Sequence, residues 1–455
     1  MKGTFNTVLD AVGNTPIVRL NKVASHVQPN IFVKLEYLNP GGSVKDRPAL
    51  QIIADLEASG RLKPGGTIVE ATSGNTGMGL AMAAAVKGYK TIFIMPDKMS
   101  SEKIQSLRAF GSRVLVTPTN VEPEDPRSYY CVANRMVEET PDAVLANQYH
   151  NPSNPKAHVL STGPEIWEQT GGEVDAMVIC MGTGGTISGL GEYFKEKKPA
   201  MKIVGVDPVG SIYYDYFRTG RITTAHSYMV EGFGEDFLPS TMNFDVVDDV
   251  ERVTDKESFL WTRRIVREEG IYCGGSAGSA IAAAVKWAEK NPDAGNILVI
   301  APDSASRYLS KIFDDNWMKE NGYMEPDLGS DKVEDLIGRR TPVHAVEIGA
   351  SVGDVVGLMR EHGISQVPVL SNGRVVGMIG EGDLLGALTE GPGAMELPVS
   401  DRMNPDFSIV EPGNSTGVLG QLLLQNKVVI VEDAGKVVGI ITKIDYIEYV
   451  ARKSH

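Results

Sequence analysis

The first two-thirds of the chain alternates short apolar runs with longer small-residue or amphipathic stretches. TIVEAT (67–72), KTIFIMP (90–96), RVLVTP (113–118), AMVICMG (176–182), KIVGVDP (202–208) and ILVIAP (297–302) are β-rich and bounded by Gly, Pro or Asp. Between them GLAMAAAVKG (79–88) and SAIAAAVKWAEK (279–290) read as helices. Alternation of this kind predicts an α/β fold of parallel sheets covered by helices. Functional loops in such folds lie at the carboxyl ends of the strands, where they enter helices.

The pattern changes near Asn321. MEPDLGSDKVEDL is polar and acidic, with Pro and Gly, and reads as a linker. Beyond it the chain repeats itself. GISQVPVLSNGRVVGMIGEGDLL (363–385) is similar to QNKVVIVEDAGKVVGIITKIDYI (425–447), and Gly377 and Gly439, like Asp383 and Asp445, stand 62 residues apart. Two copies predict a pseudo-symmetric pair, since one copy alone would leave an apolar face uncovered. The expected boundaries are a main domain over 1–322, a linker over 323–332, and repeats over 333–391 and 392–455.

Composition narrows the class. The net charge of −14 argues against a nucleic-acid surface. No stretch approaches the length of a membrane span, and the N-terminus lacks the apolar core of a signal peptide. Cys131, Cys180 and Cys273 are scattered and form no C-x-x-C. Reduced cysteines in a cytoplasmic protein, with no metal site, are expected.

Four polar or Gly-rich loops carry candidate chemistry. Asn39-Pro-Gly-Gly-Ser-Val-Lys45-Asp-Arg-Pro48 runs from a turn into a helix, which can hold Lys45 near a site. A surface lysine after a turn explains that stretch equally well when it is taken alone. Glu70-Ala-Thr72-Ser73-Gly74-Asn75-Thr76-Gly77 sets hydroxyls, an amide and backbone N–H groups at a helix start, more than capping requires, and suits a carboxylate. Gly182-Thr183-Gly184-Gly185-Thr186 suits a phosphate, because glycines let backbone N–H groups approach closely. It lacks the lysine of a nucleotide-triphosphate loop. Cys273-Gly-Gly-Ser276-Ala-Gly278-Ser279 reads first as a tight turn with small-residue packing.

One lysine, one phosphate cradle, one carboxylate clamp and one further serine are what a pyridoxal-phosphate enzyme uses. Together with Asn14-Thr-Pro-Ile-Val-Arg-Leu20, MPDKMSSEK (95–103), NQYHNPSNP (147–155), EGFGEDFLP (231–239) and SKIFDDNWM (310–318), these loops resemble the β-replacing, fold type II pyridoxal-phosphate family. Within it the resemblance is greatest to the cystathionine β-synthases, which SKIFDDNWM and the appended repeats favour over the cysteine synthases.

The resemblance implies roles. Lys45 would carry the cofactor as a Schiff base, Asn75 would bond its ring oxygen, and Gly182 through Thr186 would hold its phosphate. Ser276 would face the pyridine nitrogen. Thr72, Ser73, Thr76 and Gln148 would bind the amino-acid carboxylate, and the stretch Gly232 through Asp236, with Gly232 and Gly234, would line the second-substrate side. At Glu235 the chain departs from the animal members, which have Tyr there. Those members also carry a haem-binding N-terminal extension with a Cys ligand. Here the first cysteine is Cys131, and no haem is expected.

The C-terminal pair resembles the tandem regulatory (Bateman, or CBS-repeat) module. Gly439-Ile-Ile-Thr442-Lys-Ile-Asp445 fits its ribose-binding pattern, whereas Gly377-Met-Ile-Gly380-Glu-Gly-Asp383 lacks the Thr. The resemblance implies an adenosyl ligand such as S-adenosylmethionine at Thr442 and Asp445, completed by Ser365 and Val367. A purely structural pairing is the competing reading.

The activity this implies joins serine to homocysteine, giving cystathionine and water, in a homodimer or higher homo-oligomer. Use of O-acetylserine and sulfide, as in a cysteine synthase, is the alternative within the class. A non-catalytic adenosyl sensor is the alternative outside it; intact Lys45, Asn75 and Ser276 speak against that.

Overall fold

The apolar runs of the N-terminal region become parallel strands, largely buried except for the edge run RVLVT, where Val116 is exposed. The computed structural model describes residues 4–72, 74–97, 99, 101–118, 121, 125–324, 331–337, 343–389, 391, 393–425 and 428–453. The chain divides into two units, Met1–Met318 and Lys319–His455. Among the described residues no helix is long and apolar enough to cross a membrane.

The first unit contains β1 (Ile17–Arg19), β2 (Asn30–Leu35), β3 (Thr67–Ala71), β4 (Lys90–Pro96), β5 (Arg113–Thr117), β6 (Ala143–Leu145), β7 (Ala176–Cys180), β8 (Lys202–Pro208), β9 (Asp249–Val253) and β10 (Asn296–Ala301). One sheet is ordered β5-β4-β3-β6, all parallel. The other is ordered β1-β2-β10-β7-β8-β9 and is parallel except for β1, which runs antiparallel to β2. The fold is therefore the α/β architecture that the alternation predicts. Strands covered on both faces need no polar side, and all five residues of β3 are buried. Two large cores result. Met177, Ile179, Ile203 and Ile300 pack with Leu190 and Phe194, while Ile68, Phe93 and Met95 pack with Ile52 and Leu80.

A buried polar network ties Thr15 near the start of the chain to β2, to the segment bearing Arg47 and to Glu165. Arg47 spans Glu36, with Nε–Oε2 and Nη2–Oε1 both 2.8 Å, and Glu165, with Nη1–Oε2 2.9 Å. Lys34 also pairs with Glu165 and donates to the Thr15 carbonyl at 2.7 Å. Thr15 donates its hydroxyl to Glu36 at 2.7 Å. Two cations thus face two carboxylates, and Glu165 is the most exposed of the four, at 11%.

The second unit holds two three-stranded sheets, β11 (Val346–Glu347), β12 (Gln366–Ser371) and β13 (Arg374–Gly380), then β14 (Ser408–Val410), β15 (Val428–Asp433) and β16 (Lys436–Thr442). The internal repeat extends to irregularities. A register shift falls between Val369 and Leu370 in one hairpin and between Val431 and Glu432 in the other. Both hairpins turn through two left-handed residues, Asn372-Gly373 and Ala434-Gly435, as a tight primed turn requires. Val375 and Met378 of one sheet pack with Val428 and Ile430 of the other, burying the face that one copy would expose.

Two outcomes test the buried network. Glu36→Ala leaves the Arg47 charge buried without its main partner and should cost about 3–5 kcal/mol in urea unfolding at neutral pH. Burial alone would raise the Glu165 pKa, but Arg47 and then Lys34 hold it down at about 2, against an ordinary 4.5. A depressed folded pKa stabilises above the unfolded value, and that stability disappears as pH falls through the folded one. Glu165→Gln should therefore flatten the acid limb of stability between those two pH values.

Candidate active site

The loops read from the sequence converge at the carboxyl ends of β3, β7 and β10. Lys45 immediately precedes the helix Asp46–Ala58. The Val44 N–H donates to the Pro302 carbonyl beyond β10 at 2.8 Å, and Ser43 bridges Asp303. Lys45 lines a cleft with Cys180, Gly182, Thr183, Thr186 and Gly232. Among the described residues no hydrogen bond or ion pair engages its Nζ. Burial pushes its ammonium pKa below 10.5, and Asp303, Glu235 and Cys180 oppose the shift. The net direction enlarges the neutral fraction that a nucleophilic amine requires.

Gly182 through Thr186 joins β7 to the helix Gly185–Lys197. Here glycine is demanded by what lies behind the loop. Gly184 has φ +84°, and a Cβ there would stand 2.5 Å from the Met242 Cα; at Gly185 it would stand 2.0 Å from Asn154 Oδ1. The threonines are held from below. Asn154 Nδ2 donates to Thr183 Oγ1 at 3.0 Å, and the Thr186 hydroxyl lies 3.2 Å from His158 Nε2. Burial, then Arg47 and Lys45, keep His158 well below its ordinary pKa, so the imidazole is neutral at pH 7. A backbone cradle at a helix start with hydroxyls beside it fits a phosphate ester. The pocket thus passes the chemical test for pyridoxal phosphate: a glycine cradle with threonine hydroxyls for its phosphate and the Lys45 amine for its aldehyde line one cleft.

The clamp residues also come together. The Thr72 hydroxyl accepts from the Gly74 N–H at 3.0 Å, and the Thr76 hydroxyl donates to Gln148 Oε1 at 2.5 Å. Gln148 sits beyond β6, its backbone N–H reaching the buried Glu70 carboxylate at 3.3 Å. Burial pushes Glu70 up to about 8, with the Gln148 and Asn147 N–H groups opposing. Ser73 lies outside the described residues. Asn75 opens the helix Asn75–Lys87. Ser276 is buried in the first turn of the helix Gly275–Lys290, and its carbonyl accepts from Cys180 Sγ at 3.1 Å. Small-residue packing also operates in this loop, since a Cβ at Gly278 would stand 2.0 Å from Thr262 Oγ1. Gly232 and Gly234 both have positive φ, and the Gly234 N–H donates to the Met181 carbonyl at 2.7 Å.

Sequence reasoning passed over several residues at this place. Asp303 and Arg307 hold the Asn75 amide, at 2.9 and 2.6 Å. Glu231 pairs with Lys103 and, at 2.7 Å, with Lys311. The one signal for Asp303 was its place just past an apolar strand. In the second unit, Asp445 caps its own helix: its Oδ2 accepts from the Thr442 N–H at 2.8 Å and the Thr442 hydroxyl at 2.7 Å. Ser365 is exposed before β12. The Val367 side chain departs from the expected ligand contact. It is fully buried among Val352, Val355, Val369 and Ile379, because strand alternation turns it into its own repeat's core.

Two largely parallel sheets with a buried lysine and a glycine cradle at their strand ends have the plan of a cofactor-dependent enzyme. Comparison with known proteins agrees. The family described as pyridoxal-phosphate dependent enzyme matches residues 8–303, and the CBS domain matches 333–390 and 399–452. Cystathionine beta-synthase of Oryctolagus cuniculus is 38% identical, over 98% of this chain and 85% of its own. That of Saccharomyces cerevisiae is 35% identical over 98% of both. The crystal structure of O-acetylserine dependent cystathionine beta-synthase from Helicobacter pylori is 37% identical, with TM-score 0.63, covering 68% of this chain and 98% of that one. The chain belongs to the cystathionine β-synthase family of pyridoxal-phosphate-dependent, β-replacing enzymes.

Gly184→Ala would force a side chain against the Met242 backbone at a positive φ. It should cost about 1–3 kcal/mol or displace the cradle. Thermal unfolding and cofactor content per chain, measured together, distinguish these two outcomes from an unaffected protein.

Proposed function

We propose that this enzyme condenses serine with homocysteine, releasing water and forming cystathionine, with Lys45 as the base. The observation that carries this reading is Lys45 itself: it is poised beside the glycine cradle, its pKa is lowered by burial, and the Thr72–Thr76–Gln148 clamp stands on the neighbouring strand ends. The bound cofactor supplies an electron sink for charge left at the substrate α-carbon. The chain's residues do the rest. Thr72, Thr76 and Gln148 orient the carboxylate, with Ser73 in the same loop. The Lys45 amine takes the α-proton and later returns one. The β C–O bond breaks with loss of water, and the homocysteine sulfur forms the new C–S bond while giving up its proton. Ser276, a hydroxyl rather than a carboxylate, would face the ring nitrogen of the bound cofactor without needing to keep it protonated. The sink is then weaker, which favours replacement at the β-carbon over transamination.

The C-terminal pair is read as binding an adenosyl compound, S-adenosylmethionine first, at Thr442 and Asp445. A hydroxyl and a carboxylate three residues apart suit a ribose diol. Ser365 is exposed enough to reach a ligand, whereas Val367 can offer only its backbone. Cytoplasmic location and a homo-oligomeric state complete the reading.

Lys45→Ala should fold and lose turnover, and borohydride reduction of the holoenzyme should label Lys45. Labelling of another lysine would sink the assignment. Turnover of the wild type with serine plus homocysteine should exceed that with O-acetylserine plus sulfide; the reverse order would make it a cysteine synthase. Calorimetry should give heat with S-adenosylmethionine that Asp445→Ala abolishes. Absence of heat with S-adenosylmethionine, AMP and ATP would leave the repeats a structural pair.

A further inference from the structure

Asp303 and Arg307 belong to no motif used above, yet they fix the orientation of a candidate cofactor contact. Arg307 Nη1 donates to Asn75 Oδ1 at 2.6 Å, and its Nη2 donates to the Gly41 carbonyl at 2.6 Å. Asn75 Nδ2 donates to Asp303 Oδ2 at 2.9 Å. Asp303 is held in turn: the Tyr308 hydroxyl donates to the same oxygen at 2.6 Å, and the Asp303 carbonyl accepts from the Gly274 N–H at 2.9 Å. Asp303 is 1% exposed, and its Oδ1 has no hydrogen bond among the described residues. A Cβ on Gly274 would stand 2.2 Å from that oxygen, so glycine there keeps its place open.

The chemistry admits one orientation of the Asn75 amide. A guanidinium can only donate and an ionised carboxylate can only accept. A flipped amide would set its NH2 against Arg307 and its carbonyl against Asp303. Loss of two bonds to charged groups suppresses the flipped form by about 100-fold or more. One Nδ2–H is spent on Asp303, and the second has no partner among the described residues.

We propose that Asp303 and Arg307 are positioning residues that lock the Asn75 amide so that its nitrogen, and not its oxygen, meets the ring oxygen of the bound cofactor. The inference rests on the reading of Asn75 as a cofactor contact. It adds a requirement outside the loops that touch the cofactor: a charged pair of opposite sign, four residues apart, beyond β10.

The test uses holoenzyme and reads the visible absorption band of the bound cofactor, which reports the hydrogen bond to its ring oxygen, together with cofactor dissociation. Asn75→Ala, Asp303→Asn and Arg307→Ala should shift the band in the same direction and speed dissociation by about tenfold each, one charged-bond equivalent. Arg307→Lys, which keeps the charge but cannot span both partners, should fall between Arg307→Ala and wild type. The double variant Asn75→Ala/Arg307→Ala should go no further than Asn75→Ala alone, since both act through one amide. Additive shifts would reduce Arg307 to a general structural role and overturn the proposal. A band moved by Asn75→Ala but untouched by Asp303→Asn and Arg307→Ala would overturn it while leaving the Asn75 contact intact. A band unmoved by Asn75→Ala would remove both. If Asp303→Asn fails to fold, the two Arg307 variants and the double variant still decide.

Discussion

The position of Lys45 depends on Arg47, two residues further along the same chain segment. Arg47 spans two carboxylates from distant parts of the sequence, Glu36 past β2 and Glu165 at the start of another helix. A planar fork with two such partners tolerates little rotation, so the first turn of the helix Asp46–Ala58 is fixed in space. Lys45 is thereby aimed as part of a rigid element. An apolar replacement of the whole set could be as stable, because desolvating four charges is costly. It could not direct the helix start as specifically. The same charges act on the cradle, since Arg47 and Lys45 help keep His158 neutral beneath Thr186.

Buried acids near the site work in the opposite sense to Glu165. Burial pushes Asp46 up to about 7, against the Gly41 N–H bond that lowers it, and Asp207 up to about 7. Glu70 reaches about 8. For a group whose folded pKa lies above its unfolded value, the associated stability is complete below the unfolded value and is lost as pH rises through the folded one. These three acids therefore weaken the fold progressively from about 4 to about 8, while Glu165 weakens it below 4.5. Backbone N–H groups at Gly41, Tyr214, Asn147 and Gln148 donate to the same carboxylates, so the protonation of Asp46 bears on the turn before Lys45 and that of Glu70 on the backbone of Gln148.

Much of this was legible because its signals are local. A run such as TIVEA needs only its neighbours to announce a buried strand, and the 62-residue offset carried even the hairpin bulges. β2 was missed because NIFVKL holds a lysine, which breaks an apolar run until Glu165 and Thr15 are seen to satisfy it. β6 has only three residues, and β9 carries Asp, Glu and Arg. At the site, each loop that speaks for itself was found. Asp303 and Arg307 were not, because their meaning lies in a contact with Asn75, more than two hundred residues away, for which no spacing rule exists. For Val367 the sequence signal points two ways. Apolar character suits adenine, but the same character and the pleat sent its side chain into the core.

The two repeats differ at the point where the sequence differs. In the second, Asp445 accepts from both the N–H and the hydroxyl of Thr442. In the first, Gly380 offers only its N–H to Asp383, at 2.9 Å. Each arrangement caps a helix, and such a cap is worth about 1 kcal/mol. Under the proposed ligand role, a ribose at the second repeat would take over hydroxyl contacts that the helix already uses. Its binding would exchange the Thr442–Asp445 bonds for bonds to the ligand. A ligand changes activity only through a difference in affinity between two arrangements, and a tenfold difference is about 1.4 kcal/mol. One exchanged cap is of that order. Under that role the asymmetry between Thr442 and Gly380 would favour the second repeat as the ligand site, while both repeats contribute to the pairing that buries Val375, Met378, Val428 and Ile430.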